Sequence, residues 1–129
     1  MDDPEARSAI ADLVGRLVTT TLHRDLAAGR WATLTLAEQL GNAGSDVGRA
    51  IRARSSGDAA RFRSAFERAL ELLDLTLADE RWRGPRRREI ARAREVVCDH
   101  LVGPGDYGST DESLEAWFMA YALSARADR

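Results

Sequence analysis

The sequence predicts an all-α protein, a single-domain antiparallel bundle of four to five helices. Three observations carry this expectation. Apolar residues recur three and four apart along nearly the whole chain, candidate segments begin on helix-capping patterns, and no stretch alternates apolar and polar residues as a half-buried strand would. The 129 residues suffice for one hydrophobic core and are too few for two ordinary ones. With 44% apolar and 31% charged residues, the composition is that of a folded chain and not of a disordered one.

The elements come in order along the chain. Asp3-Pro4 reads as an N-cap followed by proline at the first helical position, opening a helix over 4–28 with Ile10, Leu13, Val14 and Leu17 on one face. Thr19, Thr20 and Thr21 weaken it, because β-branched residues lose rotamer freedom in a helix, and Gly29 marks its end. A second helix is predicted over 35–54. It opens on the capping box Thr35-x-x-Glu38, and Leu36, Leu40, Val47 and Ile51 form its apolar stripe. Gly41, Gly44 and Gly48 lie inside it. Each costs roughly 1 kcal/mol relative to alanine, so either a neighbouring helix approaches closely there or the helix breaks near 41–44.

Ser55-Ser56-Gly57-Asp58 is a turn with Asp58 as the next N-cap, and a third helix over 59–79 buries Phe62, Phe66, Ala69, Leu70, Leu73 and Leu77. Residues 57–74 have a tetratricopeptide-like rhythm, but no second copy stands at a fixed period, which excludes a solenoid. Gly84-Pro85 opens a fourth helix over 85–102, with Ile90, Val97 and Leu101 inward. The segment 103–108 is a loop rich in glycine. Ser109-x-x-Glu112 then reads as a second capping box for a last helix over 110–126, whose apolar face is Leu114, Trp117, Phe118, Tyr121, Ala122 and Ala125. Residues 34–126 form the expected core bundle and 1–33 an added N-terminal helix. Trp31 and Trp82, next to turns, either close an end of the bundle or anchor a partner.

Charge and cysteine content narrow the function classes. A net charge of −2 excludes a bulk polyanion binder. All 19 basic residues are arginine, the side chain that grips carboxylates and phosphates with paired hydrogen bonds. Their distribution is uneven. Arg81, Arg83, Arg86, Arg87, Arg88, Arg92 and Arg94 stand against Glu89 alone, directly after the acidic run Glu67, Glu71, Asp74, Asp79 and Glu80. The two blocks either pair across the intervening turn or leave a phosphate- or RNA-facing patch, for which Arg86, Arg87, Arg88 and Arg92 are the candidates. The single cysteine, Cys98, excludes an internal disulfide and a cysteine-built zinc site, and its place beside the buried face suits packing. Neither a membrane span nor a secretory signal is visible, so the cytoplasm is the expected compartment.

Arg94 carries the most chemistry. At about 100° per residue it falls about 40° from Ile90 on the inner face of the fourth helix. A guanidinium there needs a carboxylate, a phosphate or water, since burying it unpaired is costly. It is expected to be mostly buried in an ion pair with Asp46 or Asp74, or else to act as a phosphate clamp. His100 follows six residues later, at the edge of that face, where the helix C-terminus favours its charged form.

The pattern Arg94-Glu-Val-Val-Cys-Asp-His100 resembles the Arg-x(4–6)-His motif of the HEPN group of helical ribonucleases. That resemblance implies metal-independent RNA cleavage across a dimer, with Arg94 neutralising the phosphate in the transition state and His100 moving the proton of the attacking 2′-hydroxyl. Glu95 departs from the small polar residue usual after the arginine. The pairs Glu67-x3-Glu71 and Glu95-x3-Asp99 put two acids on one helical face but lack the spacing of all-α nucleotide pyrophosphohydrolases, and no metal or cofactor is expected. The glycines form no phosphate loop, because no Gly-Lys-Ser/Thr follows them.

The blocks at 36–50, 68–76, 81–84, 93–100 and 106–114 together resemble a group of small prokaryotic all-helical proteins without an assigned activity. That resemblance implies a helical fold and no function. The leading expectation is a non-enzymatic bundle that acts by protein–protein association with a protein partner or a second copy of itself. The alternative is a HEPN-like ribonuclease or toxin-type nuclease using Arg94 and His100, with RNA as its partner.

Overall fold

A computed structural model describes residues 29–127. Four helices follow the segment 29–35: α1 (Leu36–Ser55), α2 (Ala59–Ala78), α3 (Pro85–Leu101) and α4 (Asp111–Ala127). Their ends fall within one residue of the predicted ones, and no strand occurs among the described residues. The all-α expectation holds. The helix predicted over 4–28 lies outside the described residues. Residues 29–31 are helical, so Gly29 does not end a helix as expected. Leu34–Arg129 is one compact unit, and it contains all four helices.

Local chemistry sets the helix ends. Thr35 accepts from the Glu38 amide (3.1 Å) while the Glu38 carboxylate accepts from the Thr35 amide (3.0 Å), the reciprocal box read from sequence. Asp58 caps α2 through the Arg61 amide, and Pro85 opens α3. The cap of α4 lies one residue later than predicted. Thr110, not Ser109, accepts from the Ser113 amide (3.0 Å), and Ser113 Oγ accepts from the Thr110 amide (2.9 Å). Either hydroxyl could begin a helix, but Glu112 has no role in the cap that forms.

Side-chain pairs give the topology. Asp46 meets Arg68, and Gln39 meets Asp79, so α1 and α2 run antiparallel. Asp74 meets Arg94, and Leu77 meets Arg87, so α2 and α3 do too. His100 meets Asp111, and Glu89 meets Tyr121, which sets α4 against α3. The arrangement is an up-down-up-down bundle with α1 packed most extensively, against α2 and α4. The core joins Leu40, Ala43, Val47 and Ile51 of α1 to Leu73 of α2, Val97 and Leu101 of α3, and Leu114 and Phe118 of α4.

The glycines of α1 do not break it. Gly41 and Gly44 are where α4 comes closest. A Cβ at Gly41 would lie 3.1 Å from the Ala122 Cα, and one at Gly44 would lie 2.9 Å from the Phe118 Cγ and closer still to its Cβ. Gly48 behaves otherwise, because the nearest atom is the guanidinium of Arg52 on the same helix, 3.2 Å away. The expected close approach therefore rests on two of the three glycines.

One end of the bundle is closed by polar groups. Gln39 is fully buried, donates to Asp79 (2.9 Å) and accepts from the Trp82 indole N–H (2.8 Å). Arg81 donates to Asp79 (2.7 Å) and to the Leu34 carbonyl, and its guanidinium lies 4.5 Å from the Trp82 ring centroid. Trp82 thus closes the bundle instead of projecting as an anchor. The Arg81 hydrogen bond is the main reason the Asp79 carboxyl is lowered from 3.8 to about 2.

Candidate functional site

Arg94 finds the carboxylate expected of it. Its Nε donates to Asp74 Oδ1 at 2.7 Å, and this hydrogen bond raises the guanidinium above its ordinary pKa. Asp46, the other candidate, is nearly buried and is held by Arg49 (2.8 Å) and Arg68 (3.4 Å). The expected burial is not found, since the side chains of Arg94 and Asp74 stay 35% and 34% exposed. Arg94 stands at the margin of the inner face, and its long stem carries the charged head outward over the α2–α3 seam.

His100 is more enclosed than a surface histidine at a helix end, with only 14% of its side chain exposed. Its Nε2 hydrogen-bonds Asp111 Oδ1 at 2.6 Å, with the carboxylate as acceptor. Arg54, from the end of α1, donates to the same oxygen (2.8 Å) and to the His100 backbone carbonyl (3.1 Å). The His100 hydrogen bond, with help from the Arg54 charge, holds the Asp111 carboxyl below the usual range. Three helix ends are tied here, and Arg54 supplies a donor to carbonyls that a helix C-terminus leaves unpaired. Arg94 therefore turns to α2 while His100 turns to α1 and α4. The chain does not bring the two side chains to one cleft, and each already has a carboxylate.

Two of the four candidate phosphate-binding arginines have partners within the chain. Arg87 donates through Nε (3.1 Å) and Nη2 (2.8 Å) to the Leu77 carbonyl, closing the end of α2. The guanidinium of Arg92 lies 5.6 Å from the Tyr107 ring centroid. Arg86 and Arg88 are exposed on the first turn of α3. The acidic and basic blocks meet across their turn, through Arg81–Asp79, Arg83–Glu80 and Arg94–Asp74.

Glu95 and Asp99 are taken up by the 103–108 loop. Glu95 accepts from the Tyr107 hydroxyl (2.8 Å), and Asp99 accepts from the amides of Gly105, Asp106 and Tyr107. Those amide bonds, that of Tyr107 foremost, lower the Asp99 carboxyl. No cluster of three or more metal-ligating side chains occurs among the described residues. Burial pushes the Cys98 thiol up, away from the thiolate a nucleophile needs. Beside the loop, a cavity of about 200 Å³ has a floor of Ala93, Val96, Leu114 and Trp117 and a rim that includes Glu89 and Arg92.

The outer face of α4 is the feature that internal packing leaves unused. Phe118 and Leu114 point inward and are buried, while Met119 and Leu123, one turn apart, are 51% and 54% exposed. Ala116 and Ala120 are exposed as well. No protein-family model, curated protein or solved structure matches this chain. Surface chemistry is then what bears on function, and α4 departs from the usual pattern. A surface helix ordinarily carries polar residues opposite its core stripe, but 116–123 reads Ala-Trp-Phe-Met-Ala-Tyr-Ala-Leu. Beside Met119, the glycines of α1 leave a groove of about 330 Å³ between α1 and α4. No described helix is long and apolar enough to cross a membrane. Helical spacing places Phe118 and Ala122 correctly but misses Met119 and Leu123 as surface residues, although their near-continuous apolar setting was the available signal.

Proposed function

We propose that this protein works by association with another protein surface, using the outer face of α4, and not by catalysis. The observation that carries the proposal is the exposure of Met119 and Leu123 on a helix whose opposite face is already seated in the core. Leaving large apolar side chains in water forgoes roughly 25 cal/mol for each Å² that could be buried, and such patches mark interaction surfaces. The positions of Arg94 and His100 also favour this reading. A ribonuclease of the HEPN kind needs both side chains free to meet one phosphate, and here Asp74 and Asp111 hold them against different helices.

The test is the double variant Met119→Asp with Leu123→Asp, compared with wild type by light scattering and by chemical cross-linking at high protein concentration and in cell extract. Both positions are exposed, so thermal stability should change little. Wild type should associate, with itself or with another chain, and the double variant should not. Association that survives both substitutions overturns the proposal. So does RNA cleavage by the wild type that Arg94→Ala and His100→Ala each abolish with folding intact.

A further inference from the structure

The charges around the exposed stripe of α4 specify what covers it. Residues 112, 116, 119, 123 and 126 are spaced four, three, four and three apart, the spacing of a helix–helix seam. All five are exposed: Glu112, Ala116, Met119, Leu123 and Arg126. Placed on a wheel at 100° per residue, they fall between about 80° and 160° from the buried Phe118. The stripe is therefore one continuous band, apolar at its centre and bearing an acid seven residues before Met119 and a base seven residues after it. Neither Glu112 nor Arg126 has an ion-pair partner among the described residues.

We propose that this band pairs with the same band of a second copy, antiparallel, about a two-fold axis at Met119. This rests on the association reading above and names its partner. A two-fold axis brings a residue k places before Met119 level with the residue k places after it on the other copy. Glu112 then lies level with Arg126 of the second copy at both ends, about 21 Å apart at 1.5 Å per residue. Met119 meets its own symmetry mate, and small Ala116 comes within one residue of level with Leu123, so small and large side chains interlock. A parallel pair would set Glu112 against Glu112 and Arg126 against Arg126, and like charges select against it. The charges fix orientation more than affinity, because a solvent-exposed ion pair adds little net attraction. A single pair of helices of this length buries less than the roughly 1,200 Å² of a stable interface, so the dimer belongs with weak, transient associations, in the micromolar to millimolar range.

Sedimentation equilibrium from about 10 to 500 µM, concentrations within that range, tests the pairing. The variants are Glu112→Arg, Arg126→Glu and their equimolar mixture. Each variant alone should dimerise about tenfold more weakly than wild type, because both ends then carry like charges. The mixture should recover wild-type association, since in the mixed pair both ends again bring arginine against glutamate. Circular dichroism of each variant checks that α4 stays folded. A monomeric wild type across the whole range overturns the pairing. Wild-type dimers with no loss in the single variants, or no recovery in the mixture, overturn it as well. If the wild type is monomeric while cross-links to another protein still depend on Met119 and Leu123, self-pairing fails and the association reading stands.

Discussion

Replacing Gly44 with alanine gives opposing effects whose balance is set by one contact. On an open helix the substitution stabilises by about 1 kcal/mol, because glycine is that much poorer than alanine in a helix interior. At Gly44 the added methyl would lie 2.9 Å from the Phe118 Cγ and nearer its Cβ. Phe118 is 2% exposed and wedged in the core, so its ring has no free direction to take. Relief requires α4 to back away from α1, and such overpacking costs about 1–3 kcal/mol. Contacts this short with a buried ring put the cost in the upper part of that range, about 2–3 kcal/mol, so the net expectation is a loss of about 1–2 kcal/mol. Gly48→Ala is the internal control, with the same propensity gain. Its methyl meets the Arg52 guanidinium at 3.2 Å, the far end of a flexible side chain that can swing clear. Gly48→Ala should therefore stabilise by about 0.5–1 kcal/mol. Thermal and urea unfolding followed by far-ultraviolet circular dichroism should separate the two variants by about 2 kcal/mol, or roughly 8 °C for a chain of this size. Gly41→Ala, which faces the Ala122 backbone at 3.1 Å, should fall between them. Equal shifts at 44 and 48, or a Gly44→Ala protein that melts at or above wild type, would refute the close packing of α1 on α4.

Three further outcomes are expected of the ion pairs. Arg94→Ala should cost about 1 kcal/mol in urea unfolding, not the roughly 3–5 of a sealed pair, because both partners are about a third exposed and solvent screens them; a loss above 3 would mean the pair is closed off from water. Asp79, with 6% of its side chain exposed, has its folded pKa depressed from 3.8 to about 2, so its contribution is complete above pH 4 and is lost as pH falls through about 2. At about 1.4 kcal/mol per pH decade that is about 2 kcal/mol: Asp79→Asn should be destabilised by this much at pH 7 and should approach wild type near pH 2, and a difference that does not change with pH would exclude the Arg81–Asp79 bond as its source. His100→Ala should loosen the start of α4, costing about 1 kcal/mol and speeding amide exchange at residues 111–115, while slow exchange there would show that Arg54 alone holds Asp111.

Helices were legible because periodicity and caps are local. Thr35 with Glu38, Asp58, and Pro85 after Gly84 each act through atoms within four residues of one another, and both ends of each of α1 to α4 lie within a residue of their expected places. Thr110 in place of Ser109 was ambiguous for the same local reason, since two adjacent hydroxyls compete for one cap. Arg94 was half legible. Charge arithmetic required an acid and left Asp46 and Asp74, but the choice depends on how α2 is rotated against α3. Gln39, buried between Asp79 and Trp82, was not legible. A polar residue beside an apolar stripe reads as solvent-facing until a second element supplies its partners. The Arg54–His100–Asp111 clamp joins residues 46 and 57 places apart from Arg54, a separation at which periodicity says nothing.

The exposed stripe and the glycine contact are two consequences of how α4 is rotated. Phe118 fits against α1 only because Gly44 has no side chain, and seating Phe118 leaves Met119, one residue and about 100° further round, turned away from the core. A helix apolar on nearly every side could bury almost any face equally well. The contacts of Gly41 with Ala122 and Gly44 with Phe118 select one rotation, and the Arg54–Asp111 bond fixes the start of the helix along its axis. The same contacts therefore determine that Glu112, Met119 and Arg126 share the outer band. A variant that forces α4 off Gly44 disturbs that band while leaving its residues intact. Gly44→Ala should accordingly weaken association as well as stability, whereas Met119→Asp should weaken association alone.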